Sequence, residues 1–225
     1  LIGSESRGKM MAVKTLGNLL RQRKVLAYGT ISRLDIREYS GDADNTLFIN
    51  DLYKALYEQS DIVVFENIEY AGFSSLEILK QLLCEGLYHL PKRYRVQNGM
   101  LAESTGMLNT DSVSRLSANG KYFVFTSTTS EAKVADHLGN AFMQNIKDII
   151  VLDALTQGQI REISDSLIQK FLAEVKNQLR FELIPETAFV EQIENSYHPD
   201  QGIKGLQKYI NKELYTPLAE YRMLH

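Results

Sequence analysis

The chain has 225 residues, 25 of them basic and 28 acidic, a formal net charge of −3, 44% hydrophobic residues, 14 Gly and 4 Pro. This balance excludes disordered, collagen-like and low-complexity classes and fits one large or two smaller globular domains. The slight acidic excess gives no electrostatic footprint for nucleic acid, no apolar run reaches the roughly 20 residues that span a bilayer, and a single cysteine, Cys84, rules out an internal disulfide framework.

These features suit a soluble chain in a reducing compartment, the cytoplasm, with no nucleic-acid or membrane partner. Leu1-Ile2-Gly3 reads as the tail of a buried strand with no initiator Met before it, so the chain is expected to be a piece of a longer polypeptide. A helix follows from about Lys9 to Arg23, with Met10, Val13, Leu16 and Leu20 on one stripe. Val25 to Ile31 can form a strand. Asp51 to Gln59 has helical spacing and leads into Ile62-Val63-Val64-Phe65, apolar at every position as a strand covered on both faces should be. A helix from Ser75 to Gly86 places Cys84 on its apolar side, and the basic cluster Lys92, Arg93, Arg95 reads as a solvated loop. The Asn119-Gly120 turn introduces a strand at Tyr122 to Phe125, and Ile149 to Leu152 closes the set.

Short apolar runs alternating with helical stretches predict an α/β domain with a parallel sheet. Beyond Asp153 the texture changes. Thr156 to Gln178 reads as one long amphipathic helix, Phe181 to Ile184 as a short strand ended by Pro185, and Glu186 to Ser196 and Ile203 to Tyr221 as two further helices. The expected division is therefore an α/β domain over 1–153 and a small, mostly helical domain over 154–225.

The strongest chemical signal is Gly3-Ser4-Glu5-Ser6-Arg7-Gly8-Lys9, a G-x-x-x-x-G-K between a strand end and a helix start. Such a loop turns backbone N–H groups toward one point, the helix N-terminus adds positive potential and the lysine adds a point charge, so polyphosphate is the natural ligand. The next residue departs from that pattern. Ser or Thr normally follows the lysine and ligates magnesium; here it is Met10, whose thioether is a poor ligand for a hard cation. At the end of the Ile62 to Phe65 run, where a phosphate-loop enzyme places a metal-binding and often a water-activating carboxylate, stand Glu66 and Asn67. Asn67 cannot take a proton, and losing a general base typically removes about 10²–10⁴ in rate. The four histidines have no metal-ligand spacing.

The order of segments resembles the Clp/Hsp100 family of AAA+ ATPases, in particular the second ATPase module of the ClpA, ClpB and ClpC proteins. Ile62 to Ala71 is similar to the family's apolar run followed by Asp-Glu-x-Glu-Lys-Ala, and Leu76 to Leu83 with Glu85-Gly86 to its Asn-Ile-Leu-Leu-Gln-Val-Leu helix. Phe125 to Thr128 resembles Met-Thr-Ser-Asn, and Phe142 to Ile146 resembles Phe-Leu-Asn-Arg-Ile. Tyr197 to Lys208 is similar to Tyr-Asp-Pro-x-x-Gly-Ala-Arg-Pro-Leu-Lys-Arg, and Tyr215 to Ala219 to Ile-Glu-Asn-Pro-Leu-Ala.

The resemblance implies a five-stranded parallel sheet flanked by helices, a small helical lid domain, nucleotide (ATP or ADP) bound between them, and assembly into a hexameric ring with other AAA+ subunits or with a tandem module of the same chain. Its nucleotide-binding positions fall on Gly3, Ser4, Glu5, Ser6, Arg7, Gly8, Lys9, Met10 and, in the lid, Lys204. Its catalytic positions fall on Glu66, Asn67, Thr128 (a sensor asparagine in the family) and Asn145 (the arginine finger). Ser6 replaces a loop glycine, Glu5 brings negative charge toward the phosphates, and Lys204 keeps the lid cation without the planar fork.

An arginine finger alone is worth about 10³–10⁵ in rate. The expectation is a catalytically dead pseudo-ATPase with no catalytic residue, weak or no nucleotide binding and the magnesium requirement left open, acting as scaffold or regulatory subunit. An atypical active chaperone or unfoldase subunit, and a pure protein-interaction domain, are the alternatives. Glu38 to Asn45, with the single aromatic Tyr39, reads as a solvated loop in place of a pore loop, and 129–141 is too short for a peptidase-docking loop.

Overall fold

The computed structural model describes residues 1–5, 7–42, 44–104, 112–180, 182–199 and 201–224. The chain forms two compact units, one of Leu1–Gly3 with Lys9–Val151 and the other of Ser4–Gly8 with Leu152–His225.

In the first unit, α1 (Lys9–Gln22) precedes β1 (Ile31–Asp35), a 3-10 turn (Ile36–Tyr39), α2 (Thr46–Tyr57), β2 (Ile62–Glu66), a second 3-10 turn (Ile68–Tyr70) and α3 (Phe73–Glu85). Next come β3 (Leu87–Gln97), β4 (Met100–Glu103), β5 (Ser112–Ser117), β6 (Tyr122–Phe125), α4 (Glu131–Leu138) and α5 (Asn140–Met143). The parallel sheet has the order β1-β2-β6. In register, Asp35 pairs Glu66 and Phe65 pairs Phe125.

The sheet thus has three strands, not the five expected. Ile2 and Val151 make only isolated parallel bridges, Ile2 to Ser127 beyond β6 and Val151 to Ile2. Ile149, Ile150 and Val151 stay exposed.

β2 is central because its residues Ile62 to Phe65 are all buried, as the unbroken apolar run requires. Each such side chain contributes about 1.5–3 kcal/mol by leaving water. Phe65 stacks on Phe125 at 5.2 Å, and Phe125 meets Phe142 edge-on at 5.3 Å, so the sheet and α5 share one aromatic seam. The strand expected at Val25 to Ile31 begins only at Ile31. Lys24 adopts positive φ, and Gly29 N donates to Asp61 Oδ2 at 2.6 Å before the strand starts. On α1, Val13 and Gly17 are buried and Leu16 is exposed, which corrects the expected stripe. Cys84 is also exposed rather than in the core.

A second, antiparallel sheet of order β4-β3-β5 occupies the stretch in which the basic cluster reads as a loop. Lys92, Arg93 and Arg95 lie on β3, where Lys92 pairs with Glu103 of β4 at 2.9 Å. Asn98 and Gly99, both at positive φ, form the two-residue turn between β3 and β4. Pro91, which cannot donate to a ladder, sits in the irregularity between His89 and Tyr94. Leu90, Tyr94, Leu101 and Leu116 turn inward and join the core of α2, α3 and β2.

In the second unit, α6 (Gln157–Glu174) is started by a capping box: Thr156 Oγ1 accepts from Gln159 N, and Gln159 Oε1 accepts from Thr156 N at 2.9 Å. It runs into a π-helical turn (Val175–Leu179). α7 (Thr187–Asn195) and α8 (Gly202–Tyr209) follow, and a π-helical turn (Ile210–Tyr215) leads into α9 (Thr216–Leu224). Ile168, Phe171, Val175, Ile193, Leu206 and Ile210 form the core. No strand forms over 182–184; Phe181, where the expected strand starts, lies outside the described residues. Among the described residues no helix is long and apolar enough to cross a membrane.

Candidate functional site

The phosphate-loop motif sits where the sequence places it, between the Ile2 bridge and the first turn of α1. Gly3 N donates to Ser127 O at 3.1 Å, which fixes the loop's start beside the end of β6. Gly8 takes φ +79°, a conformation that costs a side-chain-bearing residue about 1 kcal/mol or more. Lys9 Nζ folds back to donate to Gly3 O at 2.5 Å. Within the loop, Arg7 Nε donates to Ser4 Oγ at 2.7 Å, while Arg7 Nη1 is buried with no hydrogen-bond partner among the described residues. Ser4 and Glu5 are exposed, and Ser6 lies outside the described residues. Met10 packs against the cluster of Val13, Leu26, Ile62 and Val64, so the thioether serves the core.

At the end of β2 both polar residues are turned to β1. Glu66 pairs with Arg33 at 2.5 Å, and that hydrogen bond raises the arginine's affinity for its proton. Asn67, only 8% exposed, takes a left-handed conformation with φ 58° and ψ 47°. Its Nδ2 donates to Asp35 Oδ1 at 2.9 Å. Asp35 also accepts from Arg37 Nη2 at 2.7 Å, and the hydrogen bonds from Arg37 and then Asn67 hold its carboxyl below the usual carboxylate range against the opposing effect of burial. The parallel register sets Asp35 beside Glu66, two like charges in adjacent strands. Arg33, Arg37 and the Asn67 amide supply the compensating donors.

Thr128, following Ser127 beyond β6, is engaged by Glu69. Glu69 Oε1 accepts from Thr128 N at 2.8 Å and from Thr128 Oγ1 at 2.6 Å. Burial, the largest influence, opposes ionisation of Glu69, yet the hydrogen bonds from Thr128, the Glu69 backbone and Ser127 together outweigh it and hold the carboxyl below its ordinary value. Asn145 donates to Ala141 O at 2.8 Å and to Cys84 Sγ at 3.1 Å, ties internal to the first unit. Tyr39 is buried and donates to Asp51 Oδ2 at 2.9 Å, so the aromatic of the expected solvated loop is a core residue. Lys204 lies exposed on α8 of the second unit.

The structure therefore brings Glu66 and Asn67 together with Arg33 and Asp35, and Thr128 with Glu69. Sequence reasoning missed Arg33, Asp35 and Glu69. For the first two the available signal was the spacing Arg33-x-Asp35, since charges two apart in a strand share a face. In the loop, Gly8 keeps a positive φ and Arg7 Nη1 is a buried donor without a partner among the described residues. The residues do not suit a magnesium ion, because position 10 contributes a packed thioether and Glu66 is occupied by Arg33. Among the described residues no group of three or more His, Cys, Asp or Glu side chains is arranged to hold a metal ion.

No protein-family model matches the chain. It is similar to "Chaperone protein ClpB" of Gloeobacter violaceus, 26% identical over 163 residues, which is 70% of this chain and 18% of that protein. It is also similar to "Chaperone protein ClpB" of Lactococcus lactis subsp. cremoris, 25% identical over 162 residues, 71% of this chain and 19% of that protein. The chain thus spans about a fifth of the length of the curated relatives it matches. The fold is α/β with a parallel sheet, compatible with a phosphate-loop domain, and the two similarities point to a Clp-related AAA+ region across about 70% of the chain.

Proposed function

We propose that this chain is a Clp-type AAA+ module that has lost turnover and serves as a scaffold or regulatory ATPase-like subunit, with protein partners and a residual site for ATP or ADP. The observation that carries this reading is the engagement of Asn67. At the position where the family resemblance calls for a water-activating glutamate stands an amide that donates to Asp35 and cannot accept a proton. Glu66, Thr128 and Asn145 support it, each tied to a neighbour inside the first unit. Their losses do not add, since groups acting as a unit fail together, but each affects a different element of the chemistry: metal, sensor and finger.

The residual nucleotide site consists of the loop from Gly3 to Met10, with Lys204 as the lid cation that the resemblance assigns. The proposed division is a phosphate-loop domain over 1–153 and a lid over 154–225, in a cytoplasmic assembly with other AAA+ subunits or a tandem module, as a hexamer. A steady-state ATPase assay with magnesium tests the central point. The expected result is no turnover above background. Turnover in the ordinary AAA+ range that disappears on Lys9→Ala would overturn the reading. The bonds from Lys9 to Gly3 and from Arg7 to Ser4 favour a second reading, a pure interaction domain whose loop has become structural. Calorimetry that detects no binding of any diphosphate would select it.

A further inference from the structure

We propose that the open edge of β1 takes an extended peptide segment of a partner protein, one that carries Lys or Arg at alternate positions and adds to the parallel sheet as a further strand. The site lies wholly within the first unit and needs nothing from the phosphate loop, so it stands or falls apart from the reading of turnover.

The backbone supplies the first observation. β1 ends the sheet order β1-β2-β6 and pairs only with β2. Ile62 N donates to Thr30 O at 3.2 Å, and the alternation of a parallel ladder then turns the backbone groups of Ser32 and Leu34 toward β2 and those of Ile31 and Arg33, with the Asp35 N–H, away from it. Among the described residues these outward groups meet no backbone or side-chain partner. An extended peptide is the ligand that satisfies such a row, because its own N–H and C=O groups repeat at the same spacing.

The second observation is the room beside that edge. A cleft of about 560 Å³ is lined by every residue of β1 and walled by Asp51, Lys54, Ala55 and Glu58 of α2. Successive side chains of an added strand would point alternately toward α2 and toward the opposite lip, where Arg33, Asp35 and Glu66 stand.

Charge decides between peptides. On the lip away from α2 the charges are already matched, Glu66 with Arg33 and Asp35 with Arg37. Elsewhere in the cleft Glu38, Asp51 and Glu58 face the single cation Lys54, and none of the four forms an ion pair among the described residues. Asp51 accepts from Tyr39 Oη at 2.9 Å and Glu58 from Ser32 Oγ at 3.2 Å, both neutral donors that leave the negative charge in place. Lys121 approaches Glu58 but donates to the carbonyl oxygens of Glu58 and Ser60. The α2 wall is therefore acidic in surplus and favours a strand whose side chains on that side are basic, while charge along the edge discourages indiscriminate pairing.

The test is fluorescence anisotropy of the 225-residue chain with a short labelled peptide of alternating Lys and Val. The peptide is expected to bind, and its counterpart with Glu in place of Lys to bind about tenfold more weakly or worse. Methylating the backbone nitrogens of either the Lys or the Val residues separates strand addition from charge attraction. Only one edge of the peptide faces β1, so one methylated form should lose about tenfold and the other should stay within about threefold of the parent. In the protein, proline at an outward-facing edge position removes one donor and spares the ladder to β2, so Arg33→Pro should bind about tenfold more weakly than Arg33→Ala, which loses the same side chain. No binding of the Lys-Val peptide, a Glu-Val peptide that binds as well, two methylated forms that behave alike, or Arg33→Pro equal to Arg33→Ala would overturn the proposal. Sedimentation that shows a dimer dissolved by Arg33→Pro assigns the edge to a second copy of the chain and overturns it too. Urea denaturation identifies an Arg33→Pro protein that has not folded. The double variant Asp51→Asn with Glu58→Gln then decides in its place, with affinity expected to fall about fivefold or more and wild-type affinity refuting the proposal.

Discussion

Placing a carboxylate at position 67 by Asn67→Glu should damage the fold and bring no ATP hydrolysis. Asn67 is buried, donates to Asp35 Oδ1 at 2.9 Å and sits at φ 58°. The substitution removes a hydrogen bond to a charged acceptor, worth about 1.5 kcal/mol or more. It also places a residue that disfavours the left-handed region where Asn is tolerated, costing about 0.5–1 kcal/mol. Two carboxylates about 4 Å apart at an effective dielectric near 20 repel by about 4 kcal/mol, and the Arg37 partner of Asp35 with its partial exposure reduces that to about 1–2 kcal/mol. The expected loss is about 3–4.5 kcal/mol, which moves the urea midpoint down by about 1–2 M. Repulsion requires both groups ionised, so the deficit relative to wild type should narrow as pH falls through the carboxylate range. Urea denaturation at neutral and acidic pH, with a magnesium-ATP hydrolysis assay on the folded variant, reads both parts. A variant as stable as wild type, or one that hydrolyses ATP, would refute the argument that this position serves Asp35.

Asp61→Ala should cost about 2–4 kcal/mol, because Asp61 Oδ2 accepts from both Tyr28 N and Gly29 N at 2.6 Å and the change leaves two backbone donors without their acceptor; chemical denaturation checks it. Glu69→Gln should flatten the acid limb of stability. The folded carboxyl of Glu69 lies below its unfolded value, so its contribution is complete above the unfolded value and is lost as pH falls through the folded one. Denaturation midpoints measured across that range should fall less steeply in the variant than in wild type.

The parts of the fold that were legible are those in which one physical signal dominates. Ile62 to Phe65 could only be a central strand, and the helix ending at Gly86 is closed by that glycine at φ +70°. The helical pattern from Thr156 placed the start of α6 within one residue, Thr156 being its cap. The antiparallel sheet escaped because the three clustered cations Lys92, Arg93 and Arg95 outweighed the better clue just beyond them, an Asn98-Gly99 pair between Val96 and Leu101. Strand pairing depends on what lies far away in sequence, so the apolar run Ile149 to Leu152 read as a strand although it makes only the isolated bridge from Val151 to Ile2. In the candidate site the motif positions were readable, but their partners were not. Asp35 and Arg33 meet β2 only through the parallel register, and Glu69 reaches Thr128 across 59 positions of chain.

The small antiparallel sheet has a consequence for how the first unit comes apart. Leu90, Tyr94, Leu101 and Leu116 are not a private nucleus but members of the same interior as Phe48, Leu52 and Leu79, and Asn50 Oδ1 of α2 accepts the Leu101 amide at 2.7 Å. Peeling the hairpin away would wet the inner walls of α2 and α3. The ladder amides of β3 and β5 should therefore exchange their hydrogens only when the central strand does, as one cooperative block, and a shortened chain lacking the sheet would lose its keystone instead of an ornament.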